Sequence, residues 1–320
     1  MEIKRDEAGL GTPLVYHGQI VLNMSVCRGM DHPSADAAGI FADLVKEKTG
    51  GRIRVVLNFR QEEDREEQAV KEVEYGSADL AQVSAGALTE YCQALTVFQM
   101  PFLFYGREHM WRVLDGEVGA VFLEGMKESG IEGLCWYDAG ARNLYLMKEA
   151  KNWRALESRR IQVEGSAFMM DVVSSMGALP MDLSSGDAVE ALRKSQIDGV
   201  ESDLEGYDMG GYDSFAVWEL STEHVRVPDV VVMNQHSLEQ LEEADQRIIR
   251  DAARESSIRQ RERWTEYEKH LYERMETEGL QRRSLDDWEG FCRKTETVYE
   301  IYGQPYREII ERIRAMAPKK

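Results

Sequence analysis

The stretch QIVLNMSVCRGMDHPSADAAGIFADLVKEKTGGRIRVVL, residues 19–57, decides the fold class. Its first eight residues, QIVLNMSV, have the composition of a β-strand. Residues 34–48 then carry apolar side chains at helical spacing, behind a serine N-cap. A Gly-Gly pair ends this helix, and residues 52–57 alternate like a second strand. The stretch therefore predicts strand, helix and strand in succession.

The same alternation continues along the chain. Helical patterns cover residues 62–75, 107–127 and 167–176, and extended patterns cover 79–83, 131–137, 143–147 and 160–163. Strands that alternate with helices predict parallel sheets covered by helices on both faces. Residues 237–278 are almost continuously helical, with a break at 255–257 left open, and a second helical region covers 284–316.

Composition excludes several classes of protein. The 58 acidic and 39 basic residues give a net charge of −19, which would repel a phosphate backbone, so we expect no nucleic-acid partner. No apolar run approaches the ~20 residues that span a bilayer, so we expect no membrane insertion. The four cysteines lack zinc-site spacing and are interpreted as free thiols. The start lacks a secretory pattern, which indicates either a cytosolic protein or a removed leader.

An acidic stretch, IDGVESDLEGYDMGGYD at residues 197–213, allows three hypotheses: a metal loop, a catalytic acid/base pair, or the polar wall of a binding pocket. Calcium-loop spacing starting at Glu201 places carboxylates at the first, third and fifth positions. The twelfth position, which must supply a bidentate carboxylate, is Tyr212. A calcium site is therefore not predicted, and neither is any other metal or cofactor.

Signatures of catalysis are also missing from the sequence. It contains no GxSxG, HExxH, P-loop or GxGxxG motif, and His32, His109 and His224 are interpreted as structural or exposed. With so many acidic residues, close carboxylate pairs arise by chance, so they do not indicate an enzyme. A chain of two α/β domains without catalytic residues favours ligand binding by closure of a cleft.

Several segments resemble, in order and spacing, the solute-binding proteins of tripartite ATP-independent periplasmic (TRAP) transporters, the DctP-like family. The most specific is QMPFLFYGREHMWRVLDGEVG, residues 99–119. It is preceded by YGSADLAQVSAGAL and followed by GIEGLCWYDAGARNLYL, by the segment from SRRIQV to IDGVES, and by STEHVRVPDVVVMNQHSLEQL. The resemblance covers nearly the whole chain.

The resemblance implies a periplasmic-binding-protein-like α/β fold of two domains, each a β-sheet flanked by helices, with a ligand cleft between them and a long bracing helix. Domain I would comprise residues 15–139 and about 228–267, and domain II residues 140–227 and about 268–320. The family implies a monomeric periplasmic or lipid-anchored receptor that closes on a small solute and delivers it to TRAP permease subunits in the membrane. A ligand-sensing subunit of a signalling system on the same fold is the alternative.

The resemblance also implies ligand-binding residues in domain II. Arg142 occupies the family's arginine position in AGARNL, and Glu201 keeps a family carboxylate at the cleft. Ser202 stands where the family usually has an asparagine. Gln162, in RRIQV, replaces the arginine that clamps a carboxylate, and Glu164 adds a negative group beside it.

The remaining candidate ligand contacts are Ser185, Asp187, Ser84 and Arg28. Ser185 replaces a family aromatic and Asp187 keeps a family acid, whereas Ser84 and Arg28 follow strands of domain I. The family default is an organic acid. Because Gln162 brings no charge, the pattern also allows a polyol, a sugar-like solute or an amine.

Overall fold

The computed structural model describes residues 11–16, 18–60, 65–163 and 165–318. Its strands are β1 Leu14–Tyr16, β2 Gln19–Val26, β3 Ile53–Phe59, β4 Leu80–Ser84, β5 Ile131–Tyr137, β6 Arg142–Leu146, β7 Arg160–Val163, β8 Leu179–Asp182, β9 Gly199–Asp203, β10 Trp218–Val225, β11 Asp229–Asn234 and β12 Gln281–Ser284. Its α-helices are α1 Pro33–Lys48, α2 Arg65–Glu74, α3 Arg107–Leu114, α4 Glu117–Gly125, α5 Ala167–Ser175, α6 Ser185–Arg193, α7 Leu204–Met209, α8 Gln235–Glu239, α9 Glu243–Glu278, α10 Trp288–Tyr302 and α11 Arg307–Ala315. Short 3-10 helices lie at Ala85–Leu88, Gln93–Gln99, Met126–Ser129, Trp153–Leu156 and Gln304–Tyr306.

The opening stretch folds as the predicted strand, helix and strand. β2 and β3 pair in parallel, with Ile20 opposite Ile53. The predicted serine N-cap of α1 is wrong: His32 is the cap, and its Nδ1 accepts the backbone N–H of Ser34 at 3.1 Å. A histidine ring nitrogen thus supplies the acceptor that the first turn of a helix requires.

The described chain forms two compact units. The first comprises residues up to 96, Val113–Ala139 and Val227–Tyr267, and the second comprises Val97–Arg112, Gly140–Arg226 and the residues from 268 onward. Residues 97–112 were predicted in domain I but lie with the second unit. The Phe102 N–H donates to the His224 carbonyl at 2.6 Å, and the Tyr299 hydroxyl donates to the Pro101 carbonyl at 2.8 Å.

Both units contain a six-stranded mixed sheet, so the prediction of parallel sheets is wrong. In the first unit, β2 is parallel to β3 and β4, but β11 is antiparallel to both β4 and β5. In the second, the order is β12-β10-β6-β9-β7-β8, and β6 is antiparallel to both of its neighbours. A strand is parallel or antiparallel to its neighbour according to the end of the sheet at which it begins. The hydrophobic periodicity of the sequence does not contain this information.

Helices pack on the first sheet around a core in which Leu22, Met24, Phe41 and Tyr137 are fully buried. α9 contributes Ile249, Ala252 and Ala253 to this core. The sequence left a break at residues 255–257 open, and the structure shows one continuous helix there. The short helix α8 is separate from α9. The second helical region was predicted from residue 284, but its first helix, α10, begins only at residue 288. No helix among the described residues is long and apolar enough to cross a membrane.

The helix predicted for residues 107–127 is divided into α3, α4 and a 3-10 turn. The break lies at Asp115 and Gly116, the latter being the N-cap of α4. Gly119 packs so closely on the end of α3 that a Cβ there would lie 2.0 Å from the Leu114 carbonyl oxygen. The close approach of the two helices therefore requires glycine at this position.

Two glycine-to-alanine substitutions test this packing. Gly119→Ala should lower the free energy of unfolding by about 1–3 kcal/mol, because backbone must move to admit the methyl group. The matched change Gly39→Ala, inside α1 with no atom within 4 Å of the new Cβ, should raise it by about 0.5–1 kcal/mol. Denaturant unfolding of both variants measures this, and a stabilising Gly119→Ala would contradict the close approach.

Candidate functional site

A buried ion pair lies at one end of the second sheet. The register of β6 and β9 places Arg142 opposite Asp203 and Leu144 opposite Glu201, so these side chains share one face. Arg142 donates from Nε to Glu201 Oε1 at 2.5 Å and from Nη2 to Oε2 at 2.8 Å. The Glu201 side chain is 1% exposed and that of Arg142 is 35% exposed. This two-point contact fixes the guanidinium plane and leaves its far edge accessible.

The ion pair determines the charge of both groups. Burial alone would raise the pKa of the Glu201 carboxyl, but the charge of Arg142 and hydrogen bonds from His224 and Arg142 lower it to about 2. Burial also opposes the charge of Arg142, yet Glu201 and Asp203 keep the pKa of the guanidinium above its ordinary value. Both groups are therefore charged at pH 7.

His224 completes this cluster from β10. Its Nε2 lies 3.2 Å from Glu201 Oε1, and its Nδ1 lies 2.7 Å from the Thr222 hydroxyl. The β10 register shifts between residues 220 and 225, and Glu223 has a positive φ of 45°. The Asn143 side chain accepts the Glu223 N–H at 2.8 Å and thereby holds this bulge. The irregular strand turns the imidazole towards Glu201.

Two further residues of β9 lie nearby: Asp203 and the predicted contact Ser202. Asp203 Oδ2 is 3.5 Å from Arg142 Nη1, while its Oδ1 accepts the Gly206 N–H and caps α7. Ser202 pairs with Asn143 on the opposite face of β9 and is 8% exposed, close beneath Gly206 of α7. On β9, Glu201 hydrogen-bonds the Arg142 guanidinium and Asp203 lies at ion-pair distance from it, whereas Ser202 lies on the opposite face.

Gln162, the residue in place of the family's clamping arginine, is 3% exposed. It lies opposite Val200 and Met181 in the sheet, and its Nε2 donates to the Leu183 carbonyl at 2.9 Å. The amide thus ties β7 to the loop before α6. The neighbouring candidate Glu164 lies outside the described residues.

Ser185 and Asp187 begin α6. The N-cap is Ser184, whose hydroxyl accepts the Asp187 N–H and donates to Asp187 Oδ2 at 2.7 Å. Asp187 is exposed and Ser185 half-buried. The carboxylate therefore serves the helix start, and the role of both residues as solute contacts stays a prediction.

The acidic stretch at residues 197–213 is largely committed to protein partners. Asp198 binds Arg160 at 2.9 Å, and Asp208 binds Arg274 at 2.6 Å. Among the described residues, no group of three or more histidine, cysteine, aspartate or glutamate side chains is arranged to hold a metal ion. Several carboxylates of this stretch therefore pair with arginines, and Asp203 caps a helix. Glu201 is the residue of the stretch that pairs with Arg142.

The first unit carries a second arginine–carboxylate pair at the carboxyl ends of β2 and β4. Arg28 donates from Nε and Nη2 to Asp229 at 3.3 and 3.0 Å, and Gln82 Nε2 donates to the same carboxylate at 2.6 Å. The buried Gln82 Oε1 has no hydrogen-bond partner within the described chain. Ser84 lies opposite Asp229 and accepts the Gly86 N–H. Predicted Arg28 and Ser84 are thus neighbours, while Gln82 and Asp229 were missed.

The missed residues share one property: each acts through a contact distant in sequence. His224 lies 23 residues from Glu201, and Asp229 lies 201 residues from Arg28. The sequence signal for His224 is its place in the segment STEHVRVPD, which resembles the family. All four cysteines are free, as interpreted from the sequence.

Comparison with known proteins gives concordant matches. The family model described as "Bacterial extracellular solute-binding protein, family 7" (DctP) matches residues 24–303. A solute-binding protein of Chromohalobacter salexigens is 26% identical over 279 residues, which cover 87% of this chain and 83% of that protein.

Solved structures of TRAP periplasmic solute-binding proteins share the fold. The protein from Roseobacter denitrificans, with bound β-D-glucuronate, is 26% identical with a TM-score of 0.81. The protein from Xanthobacter autotrophicus, with bound β-D-galacturonate, is 25% identical with a TM-score of 0.79. Each match covers 92% of this chain and 99% of the other.

Removal of the Glu201 charge should destabilise the protein strongly. Glu201→Gln leaves Arg142 without its buried partner, which should lower the free energy of unfolding by about 3–5 kcal/mol at pH 7. The carboxyl has an ordinary pKa of 4.5 and a folded pKa of about 2. The difference in free energy of unfolding between wild type and variant should therefore be complete above pH 4.5. It should shrink as the pH falls towards 2, because Glu201 then becomes protonated.

Glu190→Gln is the matched control, measured by urea unfolding at pH 7 and pH 4. The pKa of Glu190 is also lowered to about 2, by Arg193 and Lys194, but all three side chains are exposed. Water and salt screen such pairs, so this variant should unfold nearly as wild type does. Equal effects of the two substitutions would contradict a buried, structurally required Glu201.

Proposed function

Because the chain belongs to the DctP family of bacterial extracellular solute-binding proteins, family 7, we propose that it captures a hydroxyl-rich monoacid of uronate type and delivers it to a membrane permease. The family's proteins are solute-binding receptors rather than enzymes, and they act outside the cytoplasm. The ligand class, the residues that contact it and closure around it are parts of the proposal.

The accessible edge of Arg142 carries the proposal. Glu201 occupies Nε and one hydrogen of Nη2, and Asp203 Oδ2 lies 3.5 Å from Nη1, which leaves the second hydrogen of Nη2 and one hydrogen of Nη1 for a solute oxygen. Since Glu201 also fixes the plane, little side-chain entropy is lost when a solute binds. A carboxylate oxygen or a sugar hydroxyl can accept from this edge.

The local charge argues against a dicarboxylate. Arg142 has two carboxylates within 4 Å, Glu201 and Asp203, so the three groups together carry one negative charge. The residue in place of a second clamping arginine, Gln162, is neutral and its amide is bound to Leu183. Coulomb repulsion would therefore oppose a second carboxylate of the solute here.

Neutral hydroxyls, by contrast, suit the same surroundings, since the carboxylate of Asp203 accepts hydrogen bonds and the guanidinium donates them. A uronate combines several hydroxyls with one carboxylate. The uronates bound by the proteins of Roseobacter denitrificans and Xanthobacter autotrophicus support this class, although the argument for this chain rests on its own charges.

A thermal-shift panel tests the proposed ligand class. D-glucuronate and D-galacturonate at about one hundred times their dissociation constants should stabilise the protein by roughly 2.7 kcal/mol. Succinate at the same concentration should stabilise it much less, because it brings two charges and no hydroxyl. A larger stabilisation by succinate, or by amines alone, would contradict a uronate-type ligand.

Arg142 variants test the contact. Arg142→Ala should abolish the uronate shift, and Arg142→Gln combined with Glu201→Gln should do the same without leaving a buried charge unpaired. The matched control is Arg160→Ala, which removes another arginine–aspartate pair of the same sheet, with Asp198. Uronate binding that is unchanged in the Arg142 variants and lost in Arg160→Ala would contradict the assignment.

A further inference from the structure

A second concave site lies in the second unit, beside the 3-10 helix Trp153–Leu156 and the first turns of α10. We name it the Trp153 recess. Its volume is about 190 Å³, sufficient for a small ion but not for a sugar together with its hydration. The lining residues are Trp153, Arg154, Asp287, Gly290, Arg293 and Lys294.

Two of its cations lie on the same indole ring. The Arg154 guanidinium carbon is 4.5 Å from the centre of the Trp153 ring, and Lys294 Nζ is 4.1 Å from that centre. Cation–π attraction holds both side chains at the recess but does not neutralise them. Lys294 is half-buried, so its ammonium has lost part of its hydration.

These cations lack the carboxylate partners that most other described lysines and arginines have. Arg283, for example, binds Glu149 at 2.5 Å. Within the part of the chain that the structure describes, Arg154, Arg293 and Lys294 form no ion pair. In a protein with a net charge of −19, three unpaired cations at one recess are a marked local excess of positive charge.

Asp287 is the acidic member of the described lining. Its Oδ1 accepts the Gly290 N–H at 2.8 Å and caps α10, so the carboxylate is committed to the helix start. The lining as a whole carries two more positive than negative charges. A dianion with several oxygen acceptors would balance it, and guanidinium and ammonium groups are the usual donors to phosphate oxygens.

The recess is separate from the Arg142 cluster. Within the second sheet, Arg142 begins β6 opposite Asp203, whereas Leu146 ends it opposite Gly199. Four residue steps of strand put about 13 Å between these two edges. Trp153 follows the Leu146 end of β6, so a ligand there would not compete with a solute on Arg142.

We propose that the Trp153 recess binds a phosphate dianion, presented either as free inorganic phosphate or as a phosphomonoester headgroup at a membrane surface. The three unpaired cations supply the donors, and the indole keeps two of them in place. This inference does not depend on the identity of the transported solute.

Calorimetric titration of inorganic phosphate at constant ionic strength tests the site. Wild type should bind one phosphate saturably, and Lys294→Gln or Arg154→Gln should each weaken binding about tenfold or more, because each removes a charge-assisted hydrogen bond. Lys71→Gln, an exposed lysine on α2 in the first unit, is the matched control and should bind as wild type. No heat beyond that of sodium chloride, or equal weakening in Lys71→Gln, would overturn the proposal.

Vesicle sedimentation distinguishes the two sources of phosphate. If the headgroup is the ligand, wild type will sediment with phosphatidic acid in phosphatidylcholine but not with phosphatidylcholine alone, and Lys294→Gln will remain in solution. If free phosphate is the ligand, only the calorimetric titration will respond. Lys294→Gln should retain uronate binding and Arg142→Ala should retain phosphate binding, so failure of either proposal is separate from failure of the other.

Discussion

The buried contact between Arg142 and Glu201 is the interaction on which the proposed solute site depends. Placing two charges at the ends of two interior strands costs desolvation energy that only good geometry offsets. Here the geometry comes from the register of β6 and β9, the Asn143 side chain that holds the Glu223 bulge, and the imidazole of His224. Strand register and two side chains thus position one carboxylate.

In the proposed function, that arrangement lets a chain with a strong negative charge bind an acid. A free arginine would have to be ordered at the moment of binding, whereas Arg142 is already oriented by Glu201. The same carboxylate also limits the charge that the site can accept. In the proposed function, the site therefore favours acids with one charge and several hydroxyls over dicarboxylates.

Local sequence was sufficient for many elements but not for the sheets. The segment 19–57 contains its own strand, helix and glycine signals, so the first strand, helix and strand were predicted closely. β12 was missed because its exposed and charged residues, QRRS, lack an apolar pattern, and β10 was missed because it buries polar residues such as Glu219 and His224. The break before α4 depends on contact between Gly119 and Leu114, which sequence periodicity cannot show.

The candidate site was predictable only through family resemblance, and then only in part. Arg142 and Glu201 were named individually, but their pairing depends on strand register across 59 residues. Gln162 was recognised as unusual, yet its bond to Leu183 depends on the loop after β8. Asp229 and Gln82 carry no local sequence signal. Their role depends on the hydrogen bond between them, and the two residues are far apart in sequence.

The most direct test compares D-glucuronate with D-glucose, which differ by a carboxylate in place of a hydroxymethyl group, on wild type and Arg142→Lys. Calorimetry gives a dissociation constant, or a limit to it, for each sugar with each protein. The four values together give the coupling free energy between the solute carboxylate and the guanidinium. A charge-assisted hydrogen bond predicts a loss of about 1.5–3 kcal/mol in the variant for glucuronate and little change for glucose. Equal losses for both sugars would contradict a solute carboxylate held by Arg142.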